Sequence, residues 1–185
     1  MRVLLLALLA TAAGCGGDDS TAGGQEDLPP AVPAGVVFAE TPRDALDAPD
    51  FSAELVDGTP VRGAELWRER PLVLVFTASW CESCAQVHRE VAAAVDEHED
   101  AIALLGVVPE DDAAPALEYA EELDLGYPVA AAGDRVWLNY AAREPPVVVL
   151  VARGGKVLRG WPGGVERAVL AGELDDLVAE HAEHE

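Results

Sequence analysis

Residues 72–76 read Leu-Val-Leu-Val-Phe, an uninterrupted apolar run of the kind found in a strand covered on both faces of a sheet. Two more runs, at 101–108 and 147–152, have the same character and predict two further buried strands. Between the first two, residues 85–95 contain neither Gly nor Pro and predict a helix. Pro109, Asp111 and Asp112 mark the start of another helix, carried by residues 113–123 and stopped near 124–126. Residues 134–142 predict a helix with Val136, Trp137 and Tyr140 on one face. A last one is expected over 165–180, with Val169, Leu170, Leu174, Leu177 and Val178 at helical spacing. Residues 127–130 read as a short extended piece. Asp57-Gly58, flanked by extended residues 51–55 and 60–61, predicts a tight hairpin, and Gly154-Gly155 a second one returning through 156–161. Residues 64–67 predict one helical turn with Trp67 as a core plug, and the acidic stretch 96–100 a solvated loop. Strands alternating with helices, closed by a hairpin and a helix, define an α/β layer fold with a mixed central sheet flanked by helices.

The start of the chain follows different rules. Met1-Arg2 is a short positive region, 3–10 is apolar, and small residues lead up to Cys15. The apolar stretch is far below the ~20 residues needed to cross a bilayer, so it reads as a secretion signal. The small residues ending at Cys15 resemble the lipobox of bacterial lipoproteins, which implies removal of residues 1–14 and lipid on Cys15. Ordinary signal cleavage leaving Cys15 free is the alternative. Gly, Asp, Ser, Thr, Ala and Pro dominate residues 16–35, so 15–35 is expected to be a lipidated flexible tether and 36–185 the folded domain.

Charge narrows the partners. With 34 Asp+Glu against 12 Lys+Arg, the net charge of −22 repels phosphate backbones and argues against nucleic acid. A chain this anionic needs acyl chains to stay on an anionic membrane.

The candidate chemistry lies directly after the first strand, in Thr77-Ala78-Ser79-Trp80-Cys81-Glu82-Ser83-Cys84. A cysteine where a strand hands over to a helix meets unpaired N–H groups and the positive end of the helix dipole. Both favour thiolate and should lower the pKa of Cys81 from the ~8.5 of a free thiol. Cys84 lies one turn further on, within reach of a mixed disulfide formed at Cys81. Half of a zinc site and an inert structural disulfide are the competing readings. The only other cysteine is Cys15, and His88, His98, His181 and His184 supply no matching ligand pair, so no metal or other cofactor is expected. If Cys15 carries lipid, Cys81 and Cys84 remain as a pair.

Residues 49–178 resemble the thioredoxin superfamily, and within it the exported, membrane-tethered TlpA/ResA-like branch. The resemblance rests on Asp50-Phe51 with the Asp57-Gly58 hairpin, on Phe76 to Cys84, on Leu125-Gly126-Tyr127-Pro128, and on Pro146 before a β run ending in Gly155-Lys156. It implies a thioredoxin-like fold with an N-terminal β-hairpin extension and a cis peptide bond at Pro146. It also implies a substrate groove beside Trp80, Pro145 and Pro146, where the residue before the cis proline pairs its backbone with substrate. Pro145 has no N–H, so one donor is missing there. The buried acid of thioredoxins falls at Val75, the glutamate common in TlpA-like proteins at Val87, and the usual helix proline at Arg89. Glu82 is then the nearest candidate for proton transfer, with Glu90 and His88 behind it, each expected to be a solvated helix residue.

The function implied is an extracytoplasmic thiol:disulfide oxidoreductase, lipid-anchored to the bacterial cell membrane. Its partners would be exported protein thiols and disulfides, cytochrome c maturation among the roles allowed, and a membrane redox partner for recycling. Two competitors are a peroxiredoxin-like peroxide reductase and a Sco-like copper-binding lipoprotein. The first lacks its proline ahead of Thr77 and Cys81. The second calls for a wider cysteine spacing and a histidine between His98 and His181.

Overall fold

The computed structural model describes residues 21–109 and 113–179. Seven strands form one sheet in the order β3-β2-β6-β5-β4-β7-β8. They are β2 (Ser52–Leu55), β3 (Pro60–Arg62), β4 (Leu72–Phe76), β5 (Ala103–Val108), β6 (Val129–Ala131), β7 (Val147–Ala152) and β8 (Lys156–Pro162). β4 runs parallel to β5 and antiparallel to β7, and all five of its residues are fully buried, as its composition requires. The sheet is mixed and helices cover both faces, a thioredoxin-like α/β fold.

Alternation along β4 divides the core in two. Val73 and Val75 face the helices α2 (Cys84–Val95), α3 (Ala113–Glu122) and α5 (Arg167–Leu177). Leu72, Leu74 and Phe76 face the short helices α1 (Gly63–Leu66) and α4 (Asp134–Asn139), with Trp67 and Trp137 packed against them. Burying each such side chain stabilises the fold by roughly 1.5–3 kcal/mol. Trp67 is the plug expected: Gly154 N donates to its carbonyl, and a Cβ on Gly155, whose φ is +86°, would lie 2.5 Å from the indole nitrogen.

Several expectations are corrected. Helix α4 stops at Asn139 because Ala141 takes a positive φ of 54° and Ala142 N turns back to the Trp137 carbonyl. The last helix ends at Leu177. Val178–Ala179 is instead a strand, β9, paired antiparallel with β1 (Val37–Phe38), and Val169 faces solvent while Leu170 and Leu174 are buried. The stretch 96–100 is no plain solvated loop. It holds a 3-10 turn, Asp96–His98, whose Glu97 pairs with Arg167 at 2.5 Å and whose His98 pairs with Asp175 at 2.8 Å, tying it to α5.

The largest departure concerns residues 21–30, which composition assigned to a free tether. Gly23, at φ +81°, accepts from Val129 N, and its amide donates to Asp27. A 3-10 turn, Gln25–Asp27, is held by the Asp57 carboxylate, which accepts from Gln25 N at 2.6 Å and from Thr59 N at 2.9 Å. The buried Arg70 guanidinium donates to the Pro30 carbonyl. These contacts make a strap packed on the domain. The expected signal region, Cys15, and the helix-start residues Asp111 and Asp112 lie outside the described residues, and among those described no helix is long and apolar enough to cross a membrane.

Candidate active site: a dithiol at the mouth of a helix

Strand β4 delivers the chain to one end of the sheet, and the turn that follows carries both cysteines. Cys81 N donates to the Ala78 carbonyl at 3.0 Å and Cys84 N to the Cys81 carbonyl at 3.1 Å, so Cys81 ends a tight turn and Cys84 opens α2. The two sulfurs are bonded to each other, with Cα atoms 5.4 Å apart. Cys84 is fully buried and Cys81 is half-buried. An incoming sulfur therefore reaches Cys81 first. Ser83 makes no side-chain cap and the first turn of α2 holds no acid. Its unpaired N–H groups and dipole are left to stabilise negative charge on a sulfur released by reduction.

The other predicted site residues collect at the same end. Register pairs Phe76 with Val147, so Pro146, one residue before β7, stands beside Thr77, one residue after β4. The Pro145–Pro146 bond is cis, and the Pro146 carbonyl accepts from Gly163 N. Trp80, 68% exposed, and Pro145 share the wall of a cavity of about 460 Å³ with Pro109, Trp137 and Leu138. A second cavity, of about 510 Å³, is walled by the strap, by α2 from Ala85 to Val95 and by residues 123–128, and its walls include neither cysteine. Glu82 is exposed between the cysteines. Glu90, half-buried, accepts from Arg167 N at 3.3 Å.

His88 is not a solvated helix residue. α2 buries Cys84, Val87, His88, Val91, Ala94 and Val95 along one face, and His88 lies in the middle of it, 2% exposed. Its Nδ1 hydrogen-bonds the Tyr127 hydroxyl, and its Nε2 lies 2.9 Å from Thr77 Oγ1 and 3.0 Å from the Tyr119 hydroxyl. Thr77 and Tyr119 also bond each other at 2.5 Å. Burial removes the hydration a charged imidazole needs and lowers the His88 pKa to about 4, so the ring is neutral near pH 7. Burial, and then the neighbouring Tyr119, raise the Tyr127 phenol well above its usual value. This buried hydroxyl–imidazole cluster was not anticipated, although the spacing 84, 87, 88, 91, 95 already puts His88 on the inner face. Among the described residues no group of three or more His, Cys, Asp or Glu is arranged to hold a metal ion.

A thioredoxin-like fold with a disulfide where β4 meets α2, in a chain similar to thiol-disulfide oxidoreductases, defines a thiol:disulfide oxidoreductase. Residues 45–158 match the model of the AhpC/TSA family, and the chain belongs to that family. Similar solved structures include DsbF of MTB in mixed oxidized and reduced forms, at 25% identity and TM-score 0.59 over 67% of this chain and 92% of that one. The exposed lipoprotein thioredoxin Etrx1 of Streptococcus pneumoniae TIGR4 is 25% identical with TM-score 0.61, covering 70% and 100%. A thiol-disulfide oxidoreductase of Bacteroides fragilis is 25% identical with TM-score 0.62, covering 71% and 98%. Comparison with curated proteins gave no match.

Proposed function

We propose that this oxidoreductase works outside the cytoplasm, in the manner of the TlpA/ResA-like branch, held to the membrane by lipid on Cys15 and exchanging disulfides with exported proteins. The observation that carries the activity is the bonded Cys81–Cys84 pair, with the half-buried sulfur at the mouth of α2 and the other fully buried behind it. Location is supported by the lipobox-like run ending at Cys15 and by the similarity to an exposed lipoprotein thioredoxin.

In the reducing direction the Cys81 thiolate attacks a substrate sulfur, forming a mixed disulfide and releasing one substrate thiolate. Cys84 loses its proton and attacks Cys81 Sγ, releasing the second substrate sulfur. The substrate gains two electrons and two protons, and the enzyme ends in the bonded form seen here. Glu82, exposed in the same turn, is the carboxylate assigned to proton exchange. A membrane redox partner returns two electrons to the pair. The reverse sequence installs a disulfide in an exported dithiol.

Replacing Cys81 with Ser is expected to bring insulin-disulfide reduction down to background, and a variant that retains turnover removes Cys81 as nucleophile. Replacing Cys15 with Ala is expected to move the protein from the membrane to the soluble fraction. Turnover of hydrogen peroxide with added dithiothreitol by the Cys84→Ser variant, at the wild-type rate, would favour the peroxide-reducing reading instead, because dithiol exchange needs both sulfurs whereas a sulfenic acid formed at Cys81 can be reduced by the added thiol.

A further inference from the structure

Beside the disulfide, the cavity of about 460 Å³ is walled by Trp80, Pro109, Trp137, Leu138, Arg143 and Pro145. Two features set this wall apart from ordinary surface. Trp80 and Leu138 are 68% and 67% exposed, large apolar side chains left open to water next to the reactive turn. Trp137, by contrast, is 7% exposed, and its indole Nε1 is buried with no acceptor among the described residues. Buried N–H groups almost always find a partner, so an orphan on a residue that lines a cavity points to an acceptor that arrives from outside.

What arrives is constrained by the rest of the wall. A polypeptide that docks here loses water from its own carbonyl groups and needs donors. Pro109 and Pro145 have no N–H to offer, and the donors of Trp80 and Arg143 sit on exposed side chains that keep their water. We infer that the Trp137 indole N–H is the donor that receives a backbone carbonyl of an extended, disulfide-bearing polypeptide, with an apolar side chain of that segment seated between Trp80 and Leu138. The inference rests on the thiol:disulfide reading above and makes Trp137 a substrate-positioning residue supplied by α4. The N–H is closed off in the unliganded protein. Of the residues in that wall, Trp80, Leu138 and Arg143 are exposed, and displacement of their side chains is what would admit an oxygen.

The test compares two disulfides on the full-length protein: oxidised insulin, which brings a polypeptide backbone, and bis(2-hydroxyethyl) disulfide, which brings none. Trp137→Phe keeps an aromatic ring to pack edge-on against Phe76, whose centroid lies 5.4 Å from that of Trp137, and removes the N–H with the smaller ring of the indole, a loss of packing that the small disulfide reports on separately. The kcat/KM ratio, insulin over small disulfide, is expected to fall roughly tenfold, mostly through KM, the size of one lost hydrogen bond. An unchanged ratio overturns the inference, leaving the exchange chemistry intact. A wild-type protein that reduces neither disulfide overturns the reading beneath it instead. Should the variant not fold, trapping a cysteine peptide on Cys81 of the Cys84→Ser protein answers the same question. The Trp137 indole proton is expected to move downfield and exchange more slowly in the trapped complex, and an unmoved resonance counts against the contact.

Discussion

The His88 cluster makes the stability of the oxidised protein depend on mild acid. An unfolded histidine takes up a proton near pH 6.5, whereas burial holds the folded His88 neutral down to about 4. Between those values the unfolded chain binds a proton that the folded chain refuses, so acid favours unfolding. Stability is complete above pH 6.5, declines through the interval, and levels off below pH 4 as far as this group is concerned. A displacement from 6.5 to about 4 corresponds to roughly 3 kcal/mol, about 2 kcal/mol of it lost by pH 5. That is a large share of the ~5–15 kcal/mol by which a domain is folded. The groups facing the ring are the Tyr127 phenol from the loop before β6, Tyr119 from α3 and Thr77 after β4, and none of them titrates in mild acid. The assay is urea unfolding of the oxidised protein from pH 7.5 to 4.5, wild type against His88→Gln. Gln keeps a donor and an acceptor but carries no charge. The variant is less stable at neutral pH, but the difference between the two curves should shrink by about 2 kcal/mol on going to pH 5. Asp50 and Asp57, whose carboxylates are held below their usual range by hydrogen bonds that outweigh burial, are present in both proteins and cancel. A difference curve flat from pH 7 to 5 would refute the claim that His88 is buried and neutral.

Two further tests probe the frame around the site. Gly155→Ala puts a methyl group 2.5 Å from the Trp67 indole at a φ of +86°, and should cost about 2–4 kcal/mol in equilibrium unfolding; a neutral result would mean that the Trp67 plug is not seated as described. Asp57→Ala removes the acceptor of both Gln25 N and Thr59 N. Hydrogen exchange at Gln25, Thr59 and the Gly23-bonded Val129 amide should speed up at least tenfold while the β4 amides stay protected, and unchanged protection at Gln25 would show that the strap is held by other contacts.

Much of this fold is legible in the sequence because its strongest signals are local. LVLVF is buried on both faces wherever it goes in an α/β layer, Asp57-Gly58 and Gly154-Gly155 turn where glycine permits, and two cysteines three apart at a helix start can bond without help. What escapes are features made by distant parts of the chain meeting. Residues 21–30 look like a linker because their apolar content is low, yet hydrogen bonds to Asp57, Val129 and Arg70 hold them. Val178 has helical spacing but leaves the helix because Phe38 offers a strand to pair with. His88 reads as a surface group until Thr77, Tyr119 and Tyr127, from three separate elements, surround it with hydroxyls. Its spacing on α2, in line with Cys84, Val87, Val91 and Val95, is the signal the sequence carries. Helical spacing puts Trp137 on the inner face of its helix, but only packing shows that its N–H lacks an acceptor among the described residues.

The sheet ends on one side at β3 and on the other at β8, and both borders are built to discourage company. β3 opens with Pro60 and closes with Arg62. β8 begins under the loop at Asp47, bulges against β7 near Leu150, and finishes through Arg159, Gly160 and Pro162. Neither border offers a neighbouring molecule a long, flat row of free amides to zip onto. Growth of this sheet by adding a strand from a second molecule is therefore disfavoured at either border.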